Sequence, residues 1–424
     1  MVTSLVPIFF GLLFFGLPIF ASLALAVTLT LYFMGTIDPL VVPMRMFSGM
    51  NNFSLMSIPF FIMAAELMRI GGLSDRLIEL AKALIGWVPG GLAAAAVLAC
   101  LFFGSISGSS PATVVAIGTI MYPAMVAAGY NKYFAIGLIA TAGTLGPIVP
   151  PSIALIIYGS VTGSSVGKLF AAGLLPALLI GSILIAYSCV YSAYRKYPRD
   201  PFPTFGSIFH AFKRAAWGLG LPVILLGGIY SGIFTPTESA AVACLYGWFV
   251  GAIVYRSINT REFFTVLRDT GLLSGTLLLI TAGASAFSWI MASTGAPTQL
   301  ASQVLSITDS PVLIMLLFNL IMLVAGCFLD SASAIIILAP LMQPIAAKVG
   351  VDAIHFGVIT LVNLSVGMLT PPVGLNLFVA MGIAKMSLYE VFRAALIPIV
   401  LMIVALLLVT YIPFFSMTLP NLLF

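Results

Sequence analysis

Stretch after stretch of apolar residues runs through this chain, and each is long enough, at about 20 residues, to cross a hydrocarbon layer about 30 Å thick. Hydrocarbon offers no partner to a backbone N–H or C=O, so segments of this kind satisfy their own hydrogen bonds as helices. Of the 424 residues, 61% are hydrophobic and 7% charged, against roughly a quarter charged in an ordinary soluble domain. The expected fold class is therefore an all-α polytopic membrane protein with the lipid bilayer as its main solvent. A net charge of +5, dispersed along the chain, gives no footprint for nucleic acid.

The apolar run at 5–34 has no Lys or Arg before it and far exceeds the roughly 7–15 residues of a signal-peptide core, which predicts a retained first helix. Cys100, Cys189, Cys244 and Cys327 are scattered without CxxC spacing, so they read as packing thiols and not as a disulfide or metal framework.

Nine crossings are expected, at 5–34, 53–70, 134–160, 166–191, 216–234, 236–255, 271–293, 354–384 and 388–416. Two further apolar stretches, 90–127 and 311–347, are interrupted midway by small polar residues, GSISGSSPAT at 104–113 and LDSAS at 329–333. Each reads as a re-entrant hairpin that enters and leaves on one side. Positive residues collect in cytoplasmic loops, which tests this layout. With a cytoplasmic N-terminus, only Arg45, Lys168 and Lys348 of the 17 Lys and Arg fall outside. Making either hairpin a single crossing would flip every later loop. The basic, amphipathic segments 73–88 and 260–270 suit helices lying on the inner surface.

The two halves repeat. Pro123 and Pro344, Gly129 and Gly350, Gly146 and Gly367, and the pairs Pro150-Pro151 and Pro371-Pro372 are all 221 residues apart (344 − 123 = 221). One ungapped register aligns SSPATVVAIGTIMYPAMVAAG with DSASAIIILAPLMQPIAAKVG, and GPIVPPS with GMLTPPV. An additional crossing between the halves makes their topologies opposite, the inverted-repeat design of secondary transporters.

Proline lacks an amide proton and clashes with the preceding turn, so each Pro-Pro pair should unwind its span, near 146–152 and near 367–376. The freed carbonyls need protein or a water-filled cavity around them. Unwound carbonyls and half-helix ends suit cations and anionic substrates. A single Gly or Pro in such a sequence ordinarily does no more than kink a helix or allow close packing; here four elements coincide with the repeat. Asp330 is an ionisable group at a hairpin tip in apolar sequence, which points to function. Its repeat partner is Ser109. Asn376 closely follows the second Pro-Pro and is the stronger candidate beside Asn363. Glu238 reads as a structural helix-start residue, and Glu66, near Arg69, as a group reaching the interface. His210 and His355 are isolated and expected to be ordinary interfacial residues.

These motifs resemble a known family, the large membrane subunit of the tripartite ATP-independent periplasmic (TRAP) transporters. The resemblance covers nearly the whole chain. It is carried by FGSISGSSPATVVAIGTIMYPAM at 103–125, GPIVPPSIALIIYG at 146–159, GIFTPTESAAV at 232–242 and GMLTPPVGLNLFV at 367–379. It implies a bacterial inner-membrane symporter, driven by Na⁺ as coupling ion and without any other cofactor, that imports organic acids delivered by a periplasmic substrate-binding protein. A separate small membrane subunit of four helices is implied as partner.

The resemblance further implies an elevator-type transporter in which a transport domain moves against a scaffold. Residues 1–89 would supply scaffold helices and a first inner-surface arm helix. Residues 90–165 would form one transport half, a hairpin opening to the cytoplasm plus a broken helix. Scaffold and arm helices would follow over 166–310, a second transport half with a hairpin opening to the periplasm over 311–386, and a last scaffold helix over 387–424. One Na⁺ site would join the tip residues Ser105, Ser107, Gly108 and Thr113 to Gly146 and Pro150. The other would join Gly326 and Ser333 to Gly367, Thr370 and Pro371. Backbone carbonyls would supply part of both. Ser109, Ser110, Asp330, Ser331 and Asn376 would face the substrate or stabilise the tips.

Two other readings compete. A stand-alone carrier or antiporter of the wider ion-transporter superfamily would share hairpins and broken helices but need no binding protein. An intramembrane enzyme would need clustered catalytic groups, such as HExxH, and the sequence shows two distant histidines and no such cluster.

Overall fold

The computed structural model describes residues 2–35, 37–295, 308 and 310–424, without the side chains of residues 2–4 and 6. The stretch 296–307, at the end of the expected 166–310 segment, lies outside the described residues. Regular structure among the described residues is entirely helical. Among the described residues, nine helices are long and apolar enough to span a bilayer, and the bent pair Lys132–Ile148 with Ile153–Thr162, 44° apart, makes a tenth.

Both hairpins and both breaks form. The first hairpin is Gly91–Ser107 and Ser110–Ala127; the second is Pro311–Phe328 and Ser331–Lys348. The first broken span is Lys132–Ala142, Leu145–Ile148 and Ile153–Thr162, and the second is Ala353–Gly367 and Leu375–Ala384. The Pro150-Pro151 and Pro371-Pro372 bonds are both cis. Among the described residues, five spans lie between the two hairpins, over 132–162, 166–195, 205–230, 236–254 and 260–293. The repeats also interlock: Ile153–Thr162 packs on Ser331–Lys348, and Leu375–Ala384 packs on Ser110–Ala127.

The structure differs from the sequence expectations at four places. Residues 5–34 are not one crossing but two helices, Val2–Phe14 and Ile19–Met34, packed on each other. Gly16, at φ +83°, turns the chain, and Pro18 brings no amide to continue the first helix. Thirteen residues rise only about 20 Å, short of the hydrocarbon thickness. Next, 260–270 is not a separate surface helix: Thr260–Ser293 is continuous for 34 residues, capped by an Asn259–Glu262 capping box, and no proline interrupts it. The crossing expected over 388–416 stops at Tyr411, and Phe414–Leu423 forms a separate short helix after it. His355 is 5% exposed, not interfacial. Its Nδ1 meets the Ser416 hydroxyl at 2.5 Å and its Nε2 the Thr410 carbonyl oxygen at 3.2 Å.

The amphipathic helix Leu73–Ile85 forms as expected, burying Leu73, Leu77, Ile78, Leu80 and Ala81 against Gly91–Ser107 and Phe205–Tyr230. Lipid tails are as apolar as leucine, so close van der Waals fit, not expulsion of water, holds such helices together. Small residues provide it. Ala93, Ala94, Ala95 and Ala96 are fully buried in the first hairpin. Gly137 lets the Ala394 backbone approach Lys132–Ala142 where any Cβ would collide. Leu245, Val190 and Val223 instead point outward, each about 70% exposed, as lipid-facing side chains do.

Candidate functional site

The first tip is shaped by its backbone. Gly108 takes φ +59°, which ends the first hairpin helix, and Ser109 is extended, so that a new helix starts at Ser110 with Pro111 in its first turn. Proline suits that place because its missing N–H has no intrahelical partner there anyway. The Thr113 hydroxyl donates to the Ser109 carbonyl at 2.8 Å and lies 2.9 Å from the Ser107 hydroxyl. The first break is fitted against this tip. A Cβ on Gly146 would come within 2.6 Å of the Thr113 hydroxyl, and one on Gly108 within 3.1 Å of the Pro151 carbonyl oxygen. Beyond the break, the Ser152 hydroxyl caps Ile153–Thr162 through Leu155 N at 3.3 Å.

The second tip repeats the device with a charged cap. Asp330 accepts the amides of Ala332 at 3.0 Å and Ser333 at 3.2 Å, and the Ser333 hydroxyl at 2.5 Å. Its carboxylate thus satisfies the orphan donors of Ser331–Lys348 and lies at the positive end of that helix. The second break closes on the tip through Gly374 N, which donates to the Cys327 carbonyl at 3.1 Å, and through Ser331 Oγ at 3.4 Å from the Met368 sulfur. Gly326 and Gly367 touch backbone to backbone, as Gly104 and Gly146 do in the first half.

A cavity of about 390 Å³ lies where the two tips meet. Ser107, Gly108, Ser109 and Ser110 line it from the first tip, and Asp330 and Ser331 from the second. Thr113, Gly146, Gly326, Ser333 and Gly367 stand behind the tips as their supports. Pro150, Thr370 and Pro371 belong to the breaks and do not line the cavity. Ser105 is turned away, its hydroxyl donating to the Phe102 carbonyl at 2.6 Å. Asn376 is fully buried behind the first tip. Its amide nitrogen donates to the Ser110 hydroxyl at 2.6 Å and to the Ala140 carbonyl at 3.2 Å. It therefore ties the second broken helix to the first hairpin and the first broken helix.

The opposite wall was not anticipated from sequence. It comes from Ile62, Ala65, Glu66 and Arg69 on Ser57–Ile70 and from Leu273, Thr276, Leu277 and Ile280 on Thr260–Ser293. Both sets run i, i+3, i+4, i+7, one face of a helix. That spacing is present in the sequence, but it does not say which neighbour a face meets. Glu238, by contrast, has the structural place expected of it, completing a capping box with Thr235. His210 is exposed.

The cavity's chemistry is uneven. Two helix N-termini, at Ser110 and Ser331, border it and present amides and the positive ends of their dipoles. The donors at both tips are oxygens only, which is the ligand type hard cations take.

Residues 6–415 match the family model of the tripartite ATP-independent periplasmic transporter, DctM component. The C4-dicarboxylate TRAP transporter large permease protein DctM of Pseudomonas aeruginosa is 43% identical over 400 residues, 94% of this chain and 94% of that protein. The sialic acid TRAP transporter large permease protein SiaM of Vibrio cholerae is 36% identical over 97% of this chain and 96% of its own length. Among solved structures, the Alcanivorax borkumensis YdaH transporter matches with a TM-score of 0.63 at 15% identity, covering 88% of both chains, a likeness of fold. The chain belongs to the DctM family, the large permease subunits of tripartite ATP-independent periplasmic transporters.

Proposed function

We propose that this chain is the membrane-embedded transport subunit of a Na⁺-coupled secondary importer of organic acids, of the C4-dicarboxylate or sialic-acid type. It sits in the bacterial inner membrane with a cytoplasmic N-terminus, takes substrate from a periplasmic binding protein and works with a small four-helix membrane subunit. The observation that carries this reading is the meeting of two repeat-related hairpin tips on one cavity. A carboxylate is favoured beside the N-termini of Ser110–Ala127 and Ser331–Lys348. Na⁺ suits the oxygens of Ser107, Thr113 and the 146–151 break, and those of Ser333 and the 367–372 break, partly through carbonyls.

The cavity lies between the interlocked hairpins and broken helices on one side and Ser57–Ile70 with Thr260–Ser293 on the other. Sliding the first group against the second carries the substrate across, which is the elevator form of alternating access. Bringing an anion in against an inside-negative potential costs about 2.3 kcal/mol per charge per 100 mV. Co-transport of at least two Na⁺ with a monocarboxylate reverses that sign. The test is uptake of a labelled C4-dicarboxylate or sialic acid into proteoliposomes holding both membrane subunits, with the loaded binding protein outside. Uptake should require an inward Na⁺ gradient. Equal uptake without one would refute the coupling, and no uptake of any organic acid would refute the substrate class.

A further inference from the structure

The cavity's second wall carries charge that the tips do not explain. Among the described lining residues Arg69 is the one cation, accompanied by the carboxylates of Glu66 and Asp330. Asp330 is already engaged by Ala332, Ser333 and the Ser333 hydroxyl. Arg69 is held differently. Its Nε donates to Glu66 Oε2 at 2.9 Å and its Nη2 lies 2.7 Å from the same oxygen. The Arg69 side chain is 45% exposed and that of Glu66 24%, so the pair is half-exposed on the cavity wall.

That arrangement is an exchangeable one. A guanidinium edge presents two N–H groups matched to a carboxylate. Glu66 occupies that edge with a single oxygen, Oε2, which takes both N–H groups. An ion pair this exposed gains little over its solvated partners, so a competing carboxylate can take the guanidinium edge while the displaced Glu66 carboxylate turns to water in the cavity. Asp330 has no such freedom, because leaving its cap would orphan buried donors.

We infer that Arg69 is the cation that takes the substrate's carboxylate once it leaves the hairpin tips, and that Glu66 is its internal competitor, reclaiming Arg69 and expelling the anion. This rests on the organic-anion reading above. The pair then does two opposed things. Arg69 draws the anion off the tips toward its own wall, and Glu66 prevents the resulting complex from becoming a trap.

The test is equilibrium binding of a labelled C4-dicarboxylate or sialic acid to the purified two-subunit membrane complex in Na⁺, with turnover measured in proteoliposomes. Arg69→Gln should weaken binding about tenfold, and Glu66→Gln should tighten it by a similar factor while slowing turnover. Arg69→Lys, which keeps the charge but loses the fork, should fall between wild type and Arg69→Gln. The double variant should bind like Arg69→Gln alone, since the competitor has no role without the cation. Arg214→Gln breaks a similarly exposed ion pair with Glu79, outside the cavity, and should bind as wild type does. A pair that merely ties a helix end would shift both single variants in the same direction or not at all, which would overturn the inference. A wild-type complex that neither binds nor carries any organic anion would instead refute the underlying function.

Discussion

Gly146→Ala drives a methyl group into the first tip. Built on the Gly146 backbone, that Cβ lies 2.5 Å from the Ser109 carbonyl oxygen and 2.6 Å from the Thr113 hydroxyl. Carbon–oxygen contacts settle near about 3.3 Å, so tip and break must part by roughly 0.8 Å. Neither obstacle is a loose end. The Ser109 carbonyl already accepts from Thr113, and the Thr113 hydroxyl is paired with Ser107. Overpacking of this kind costs about 1–3 kcal/mol, with about 1 kcal/mol more if the Thr113 bond is lost. Gly382→Ala is the matched control: it sits within Leu375–Ala384 with nothing inside 4 Å of the added atom. There, relief of glycine's entropy should gain about 0.5–1 kcal/mol. The assay is thermal unfolding of the membrane complex in nanodiscs, paired with uptake in proteoliposomes. Gly146→Ala should melt earlier and lose uptake, whereas Gly382→Ala should match or exceed wild type in stability. A Gly146→Ala complex as stable and as active as wild type would refute the tip-to-break contact on which the site is built.

Other perturbations reach the same elements from different sides. Asp330→Ala removes the cap of Ser331–Lys348 and should cost about 1 kcal/mol in the same unfolding assay, with uptake lost; Asp330→Asn, which keeps a capping oxygen, should retain most of the stability. Ser110→Ala takes away the oxygen that Asn376 reaches at 2.6 Å. A buried amide left short of a partner costs about 1–3 kcal/mol, read as a lower melting point that Asn376→Leu in the same background partly restores.

Features with local causes were legible in the sequence. The breaks could be read because Pro-Pro forbids helix whatever surrounds it, and the tips because Ser, Gly and Asp interrupt otherwise unbroken hydrophobicity. The 221-residue offset then identified them as copies. The first 34 residues were not legible in the same way. Hydropathy averages over Gly16 and Pro18, and one long span and two short packed helices have the same mean. The 260–270 segment reads as separate because it is amphipathic whereas 271–293 is largely apolar, yet a change of environment along a helix needs no change of backbone.

The site divided likewise. Ser107–Ser110, Asp330 and Ser331 line the cavity because they are the tips themselves. Glu66 and Arg69 carry the i, i+3 signature of any ion pair at the end of an apolar helix, and only the packing of Ser57–Ile70 beside the tips turns it inward. Asn376 was conspicuous as a polar residue after Pro-Pro. Its partner, however, is 266 positions away, a pairing that no local pattern encodes. His355 is similar, isolated in sequence but bonded to Thr410 and Ser416 in space.

A single substrate cavity formed where both tips meet should show itself in substrate protection of its lining. Ala112 and Ala332 face the cavity, one beside each tip. Each can be changed to Cys in turn after Cys100, Cys189, Cys244 and Cys327 are replaced. The rate of alkylation by a small thiol reagent is then measured in proteoliposomes with and without Na⁺ and a C4-dicarboxylate or sialic acid. Both A112C and A332C should be protected by the same organic acid, and only when Na⁺ is present. Protection at one tip alone, or labelling at both that ignores substrate and Na⁺ alike, would contradict a single substrate cavity.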